Sequence, residues 1–456
     1  MTKYDLIVVG GGAAGITASR GPASMGWKVA MIEKEYMGGT CTNVGCMPTK
    51  ALLSSAHFLH QSKHADLYGA KIDRVSADWM QVRTRMDQFV KKLRSGSEKY
   101  PTQFENMTLY RGEAAFTGPG TVRVNGDELS ADKIIIAAGA RSFIPPVPGI
   151  EDVDYLTSTT ALSLAKLPDH ITILGGGVLA AEFAQIFSRL GSKVTILEQN
   201  EQILGNFDDD VATEFERLLK LEGIDVLTGH TVKSLSREDA GVGIVLEHDN
   251  ITKDLSVDAV MIATGRKPNS DLLDCQAAGI ELDDRGFIIT DESFLTTAQG
   301  VWALGDIIGG SMFTHKARHD GMLLSKHLTE GIYVDLRGRI IPFAVFTDPE
   351  IAMVGESEKS ATQKGTRFVS KKLPYNKIGR AGASSKTDGF IKLLADPDSQ
   401  KIIGSQIIGE NAGEIIHTVT MAMRMNAVIA DLQDMMPIHP TFAEGLYSNA
   451  MLFKEM

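Results

Sequence analysis

Cysteine is scarce in this chain, with three among 456 residues. That excludes a secreted disulfide framework, and a close cysteine pair in a reducing, cytoplasmic compartment serves catalysis or metal binding more often than structure. Long apolar runs are missing too. No segment approaches the ~20 residues of a membrane helix, and the apolar opening "LIVV" breaks at three glycines with no basic leader before it and no cleavage site after it. The expected location is cytoplasmic. Clustered positive charge is also lacking: 46 Lys and Arg stand against 57 Asp and Glu, a net charge of −11. No basic stripe tracks a phosphate backbone, so nucleic acid is excluded as a partner.

What is present is an ordinary globular balance, 43% hydrophobic and 23% charged, in a chain long enough for about three domains. The opening "YDLIVVGGGAAGITASRGPASMGWKVAMIEK" reads as strand, glycine turn, helix and second strand, a βαβ unit closing on Glu33. The plan returns at "HITILGGGVLAAEFAQIFSRLGSKVTILEQ". The interval from Gly10 to Glu33 is 23 positions, and so is that from Gly175 to Glu198. Between the copies Pro145, Pro146, Pro148 and Gly149 suit a crossing between domains. "KIIIAAGA" and "AVMIATGRKPN" read as buried strands ending in small residues, which let a ligand approach the backbone. Beyond about residue 340, short β-like runs followed by helices predict an α+β domain.

Both βαβ units carry a dinucleotide fingerprint. Gly10, Gly12 and Gly15 form GxGxxG, and Gly175, Gly177 and Ala180 form GxGxxA. The first position permits the tight turn, the second lets a pyrophosphate approach the backbone, and the third packs helix on strand. The helix N-terminus then offers unpaired N–H groups to the phosphates. Glu33 and Glu198 are placed to accept from a ribose hydroxyl. At the second unit a carboxylate at Glu198 accepts the 2′-hydroxyl of NAD and repels the 2′-phosphate of NADP, and "EQNEQILGNFDDD" supplies no Lys or Arg to offset it.

"GGTCTNVGCMPTK" sets Cys41 and Cys46 five positions apart. In an ideal helix that spacing separates the Cα atoms by ~8.6 Å, whereas a disulfide needs about 4.4–6.8 Å. A bridge requires a distorted turn, which Asn43 and Gly45 are expected to allow through unusual dihedrals. Pro48 suits the first turn of a following helix, with Lys50 one turn from Cys46. The spacing is too wide for the usual zinc pair and no second Cys/His cluster follows, so no metal is expected. A redox pair and two buried thiols both remain open on these residues alone. Cys275 has no companion, and Thr441 and Glu444 beside Pro440 read as a capping box.

Together, "GGTCTNVGCMPTK", the twin fingerprints, "AVMIATGRKPN", "ALGD", "FTDPEIAMVG" and "HPTFAE" resemble the class I pyridine nucleotide–disulfide oxidoreductases over essentially the whole chain. Within that family the chain most resembles the dihydrolipoamide dehydrogenases. The resemblance implies an α/β fold with two Rossmann-like dinucleotide-binding domains and a C-terminal α+β dimerisation domain. Residues 1–145 and 265–335 would form the FAD-binding domain, 146–264 the NAD-binding domain and 336–456 the interface. It implies a homodimer acting on a lipoyl-bearing protein, with FAD at the first fingerprint and NAD at the second.

Carried onto this chain, Cys41 and Cys46 would form the redox disulfide, Cys46 against the flavin and Cys41 exchanging with substrate. Lys50 would pair with Glu182 beside the flavin. Asp306 would hold the ribityl chain, and a helix starting near residues 312–317 would aim its N-terminus at the ring. Lys34, Thr40, Lys50, Ala114, Gly139, Met312 and Thr314 would line the flavin site, and Val232 and Gly265 the NAD site. His439, oriented by Glu444 and supplied by the partner subunit, would be the base that activates the substrate thiol. Electrons would pass from Cys46 to FAD and leave as hydride to NAD⁺.

Two stretches depart from the dihydrolipoamide dehydrogenase pattern. Pro437-Ile438-His439-Pro440 replaces His-x-His-Pro, as in glutathione reductases, and Val178-Leu179 lacks an aromatic gate, as in mercuric reductases. The acidic Glu198 opposes a glutathione reductase, and the ending "YSNAMLFKEM", without cysteine, opposes a mercuric reductase. A redox-sensing flavoprotein without turnover is the rival of another class.

Overall fold

The run Leu6–Val9 is apolar and buried at every position, as in a strand covered on both faces. In the computed structural model, which describes residues 1–453, it is the middle of a five-stranded parallel sheet. The order is Val301–Ala303, Ile134–Ile136, Leu6–Val9, Val29–Glu33, Met107–Arg111. The chain forms two compact units, the first comprising Met1–Ala51, Arg83–Phe143 and Gly265–Arg339. A four-stranded sheet, Thr2–Tyr4, Asp127–Ala131, Thr121–Val124 and Ala114–Gly118, shares its core. Helix Ala13–Ser24 crosses helix Thr314–Glu330 closely: a Cβ at Gly321 would lie 2.6 Å from the carbonyl oxygen of Ala14, and Gly21 N–H donates to Ser325 Oγ at 3.1 Å.

The second unit comprises Leu52–Val82, Ile144–Thr264 and the chain from Ile340 on. Its parallel sheet repeats the plan of the first, in the order Tyr155–Leu156, Ala259–Ile262, His170–Leu174, Lys193–Leu197, Asp225–Leu227. Thr231–Glu238, Gly241–His248 and Ile251–Val257 add an antiparallel sheet. A five-stranded antiparallel sheet follows from Phe343 to Gly409 with helix Ala412–Arg424 packed on it around Ile391, Leu393, Ile407, Ile415 and Val419. That is the α+β region read from the sequence. Among the described residues no helix is long and apolar enough to cross a membrane.

The segment 52–82, read with the first domain, lies in the second unit. There Trp79 Nε1 donates to Leu164 O at 2.9 Å, and the Tyr68 hydroxyl to Ser384 O at 2.9 Å. The C-terminal sheet shares this unit through buried charge. Lys392, 2% exposed on strand Phe390–Ala395, donates to Asp208 at 3.1 Å, Asp210 at 2.6 Å and Glu358 at 3.2 Å. Lys392→Met keeps the stem but strands Asp208, itself 4% exposed, without its cation. Breaking such a buried cluster costs about 3–5 kcal/mol. The urea midpoint of the variant is expected to fall accordingly, and an unchanged midpoint would refute this account.

Candidate functional site

At the first fingerprint the chain turns through Gly10, whose φ is +112°. A Cβ there would lie 2.3 Å from the Ala137 carbonyl oxygen, and one at Gly15 would lie 2.0 Å from that of Gly10. The small residues after strand Ile134–Ile136 thus serve a backbone-to-backbone approach at this turn. Gly12 opens helix Ala13–Ser24. Glu33, at the end of its strand, accepts from Gly11 N at 2.8 Å and Glu35 N at 2.8 Å, leaving lone pairs for a ribose. Glu33, Lys34, Gly10 and Ala114 line one cleft with Asn269 and Leu273. Asn269 Nδ2 donates to Ala138 O at 2.8 Å, and Gly139 O accepts from Asn269 N at 3.1 Å. Sequence reading missed Asn269, Leu272 and Leu273, which lie more than 230 residues from Glu33. Gly15→Ala is expected to cost about 1–3 kcal/mol or more through overpacking and to abolish nucleotide retention, read as Tm and cofactor stoichiometry.

The cysteines lie on two helices. Gly39–Asn43 carries Cys41 and ends at Val44, whose φ and ψ are −144° and 16°, and Cys46–Lys63 begins at Cys46. This break brings the sulfurs into hydrogen-bond contact, as thiols. Its cause differs from the one expected. Neither Asn43 nor Gly45 has a positive φ. Instead the buried Asn43 amide donates to Gly39 O at 2.9 Å and Met37 O at 3.1 Å while its oxygen accepts from Arg94 Nε at 2.7 Å. Gly45 is needed for room, because a Cβ would meet Thr40 O at 3.0 Å. Thr40 is exposed, and its carbonyl accepts from Val44 N at 2.9 Å.

Cys46 Sγ lies 3.6 Å from Thr314 Oγ1, in the first residue of helix Thr314–Glu330. A helix N-terminus favours negative charge beside it. The Cys41 thiol is pushed well up by its hydrogen bond with Cys46 and by burial, against the opposing pull of Thr314 and Lys50. Met312 precedes the helix in a loop. Asp306 faces Arg266 at 3.6 Å, and burial raises its carboxyl despite Arg266 and Lys316. Arg266 Nε is buried and makes no hydrogen bond. This donor, held only by the longer contact with Asp306, fits with the Gly10 turn and the cleft beside Glu33 the dinucleotide that the resemblance implies. Cys275 is buried in the core, its thiol donating to Ser270 O at 3.6 Å.

The second unit repeats the fingerprint geometry. Gly175 has φ +104°, and a Cβ there would lie 2.6 Å from Ala263 O. Gly177 opens helix Val178–Leu190, and Ala180 is fully buried. Glu198 accepts from Gly176 N at 2.6 Å and Asn200 N at 2.8 Å, just as Glu33 does from Gly11 and Glu35, and additionally from Asn200 Nδ2 at 2.6 Å. Val232 lies on strand Thr231–Glu238 at its register irregularity, and Gly265, with φ +130°, falls in the first unit.

Glu182 is 1% exposed and accepts from Phe346 N at 3.1 Å. Gln185 and Arg189, on the same helix face, hold Asp348 through bonds of 2.8 Å and 3.1 Å, so the segment around Phe346 is pinned where it meets Glu182. Lys50 belongs to the first unit and Glu182 to the second.

His439 Nδ1 lies 2.9 Å from Glu444 Oε2, with the imidazole 79% exposed and the carboxylate 13%. Half of the expected capping box is present: Glu444 N donates to Thr441 Oγ1 at 3.3 Å. The Glu444 carboxylate is committed to His439. That fixes the ring's Nδ1–H and leaves its other nitrogen basic.

Two family models match the chain. Residues 4–321 match pyridine nucleotide-disulphide oxidoreductase, and residues 341–450 match the dimerisation domain of the same family. Dihydrolipoyl dehydrogenase of Geobacillus stearothermophilus is 35% identical over 451 residues, covering 97% of this chain and 94% of that protein. Mercuric reductase of Bacillus cereus is 33% identical over 452 residues, covering 99% of this chain and 71% of that protein. The solved Cu(II) complex of the HOCl-induced flavoprotein disulfide reductase RclA from Escherichia coli superposes with a TM-score of 0.91 at 32% identity, covering 100% of both chains.

Proposed function

The chain belongs to the pyridine nucleotide-disulphide oxidoreductases, a family of FAD-dependent disulfide oxidoreductases, and from that premise we propose that it oxidises protein-bound dihydrolipoyl groups with NAD⁺. The observation that carries the reading is the Cys41–Cys46 thiol contact at the start of helix Thr314–Glu330. In this reading residues 1–145 and 265–335 serve FAD, 146–264 serve NAD, and 336–456 the subunit interface. The dimerisation-domain match implies a homodimer. A cytoplasmic setting, where thiols stay reduced, belongs to the same proposal.

The residues act in order. His439 of the partner subunit, oriented by Glu444, takes a proton from the substrate dithiol, whose ordinary pKa of about 8.5 leaves it mostly protonated at neutral pH. The thiolate attacks Cys41 of the oxidised pair, and Cys46 leaves as thiolate, stabilised by the helix N-terminus. The second substrate thiol attacks the mixed disulfide at the substrate sulfur, so the substrate departs as a disulfide and Cys41 keeps a proton. Two electrons now reside on the cysteines, Cys46 as thiolate and Cys41 as thiol, with the other substrate proton on His439. Bound FAD supplies the acceptor for that pair and the means of passing it to nicotinamide as hydride. Glu33, Lys34, Ala114, Arg266 and Asp306 would hold the flavin nucleotide, and Lys50 would stand beside its ring. Gly175, Gly177, Glu198, Val232 and Gly265 would hold NAD.

A second reading is a reductase running in the opposite direction on a disulfide or on mercuric ion. The similarity to mercuric reductase and to RclA over nearly the whole chain supports it, as do Ile438 and the Val178-Leu179 pair. Anaerobic assay of NAD⁺ reduction by dihydrolipoamide, beside NADH- and NADPH-driven reduction of glutathione disulfide and Hg(II), separates the two. Fast dithiol oxidation with NAD⁺ is expected. Turnover confined to the reductive direction would replace the first reading by the second.

A further inference from the structure

The 2′ position of a nucleotide at the second fingerprint is expected to meet Glu198, and residues 198–210 contain no Lys or Arg. Tertiary structure brings two other groups there. His230 N donates to Glu198 O at 3.0 Å, and Gly229 N to Asn200 O at 2.9 Å, so the stretch entering strand Thr231–Glu238 runs along the residues that carry the acidic side chain. His248, from the end of the next strand, stacks on His230 with ring centroids 4.5 Å apart and planes 9° from parallel. Each ring is oriented by a carbonyl: His230 Nδ1 lies 2.6 Å from Thr228 O, and His248 Nδ1 lies 3.0 Å from Gly229 O.

We propose that the His230–His248 stack sets how strictly the second dinucleotide site rejects a 2′-phosphate, strictly while both rings are neutral and less so once one is a cation. This rests on the reading that the second fingerprint holds a nicotinamide nucleotide. The charged groups facing the stack are Asp249, 3.4 Å from His248 Nε2, and Glu201, beside Gly229. Both favour a proton on His248. The nearby Lys233 is engaged with Glu247 at 3.2 Å. The hydrogen bond to Gly229 already holds His248 above the usual imidazole range, with Asp249 and Glu201 adding to it. A 2′-phosphate carries about −1.5 to −2 charges, and an imidazolium in the stack on the stretch bonded to the Glu198 backbone offsets part of its repulsion from the carboxylate.

The test is calorimetric binding of NAD⁺ and NADP⁺ to the oxidised holoenzyme at about pH 8 and about pH 6, on either side of the imidazole range. The preference for NAD⁺ over NADP⁺ is expected to shrink about tenfold on acidification in the native protein. In His248→Leu, His230→Leu and His248→Gln it is expected to shrink less than about twofold, the residue due to the phosphate's own titration near ~6. His248→Gln retains a donor for Gly229 and cannot take charge, so it separates protonation from packing. Unchanged NAD⁺ affinity at the higher pH certifies an intact site in each variant. An equal loss of preference in native and variant proteins would overturn the inference, whereas absence of NAD⁺ binding in every protein would overturn the second-fingerprint reading instead.

Discussion

Cys46→Ser is expected to lower dithiol-dependent NAD⁺ reduction by at least about 10⁴-fold, the scale on which loss of a covalent nucleophile is felt. The serine hydroxyl still reaches Thr314, 3.6 Å from the native sulfur, so the helix start and the flavin cleft keep their shape. What disappears is the sulfur that leaves Cys41 with the bonding pair and passes that pair on. Anaerobic dithionite titration gives the reading without any substrate. The native holoenzyme takes up one pair of electrons for the cysteines and another for the flavin, and the variant only the latter. A second readout lies on Cys41, whose thiol is raised first by its bond with Cys46. With that partner replaced, its pKa moves toward the ordinary value, and its alkylation near neutral pH speeds up. Full activity in Cys46→Ser would end the disulfide mechanism.

His439→Gln is the second large effect, a loss of about 10²–10⁴-fold in turnover with dithiols, the range of general acid–base catalysis. Its pH dependence follows from the thiol it activates. Near pH 7 the substrate needs the base. As pH rises past about 8.5 the thiolate forms unaided, so the deficit narrows with rising pH and widens as pH falls. Glu444→Gln, which keeps a partner for Nδ1 at 2.9 Å but removes the charge behind it, is expected to lose less, about tenfold. NADH-driven reduction of ferricyanide bypasses the thiol step and should stay unchanged in both. A deficit equal at every pH, or one that extends to ferricyanide, would remove His439 from the thiol step.

The parts of this site that were legible in sequence are short-range. A glycine turn, a helix N-terminus and an acidic residue 23 positions on belong to one βαβ unit, and its geometry leaves little choice. Gly10 must adopt its positive φ, and Glu33 and Glu198 must end beside the Gly11 and Gly176 amides, because strand, turn and helix are covalently continuous. The five-residue interval between the cysteines was equally visible. Its cause was not, because the helix break at Val44 is held by Asn43 bonded to Arg94, 51 residues away.

Tertiary structure decided what crosses the chain. Asn269 and Leu273 close the cleft of Glu33, Arg266 meets Asp306, and Thr314 brings a helix N-terminus to Cys46. His248 stacks on His230, and Lys392 anchors the C-terminal sheet by carboxylates more than 180 residues upstream. Composition and local periodicity specify which stretches become strand, turn or helix, since those choices depend on neighbours a few positions apart. Which charged or polar groups face one another depends on sheet order and helix crossing, and those are settled only when buried apolar surface from distant segments packs together.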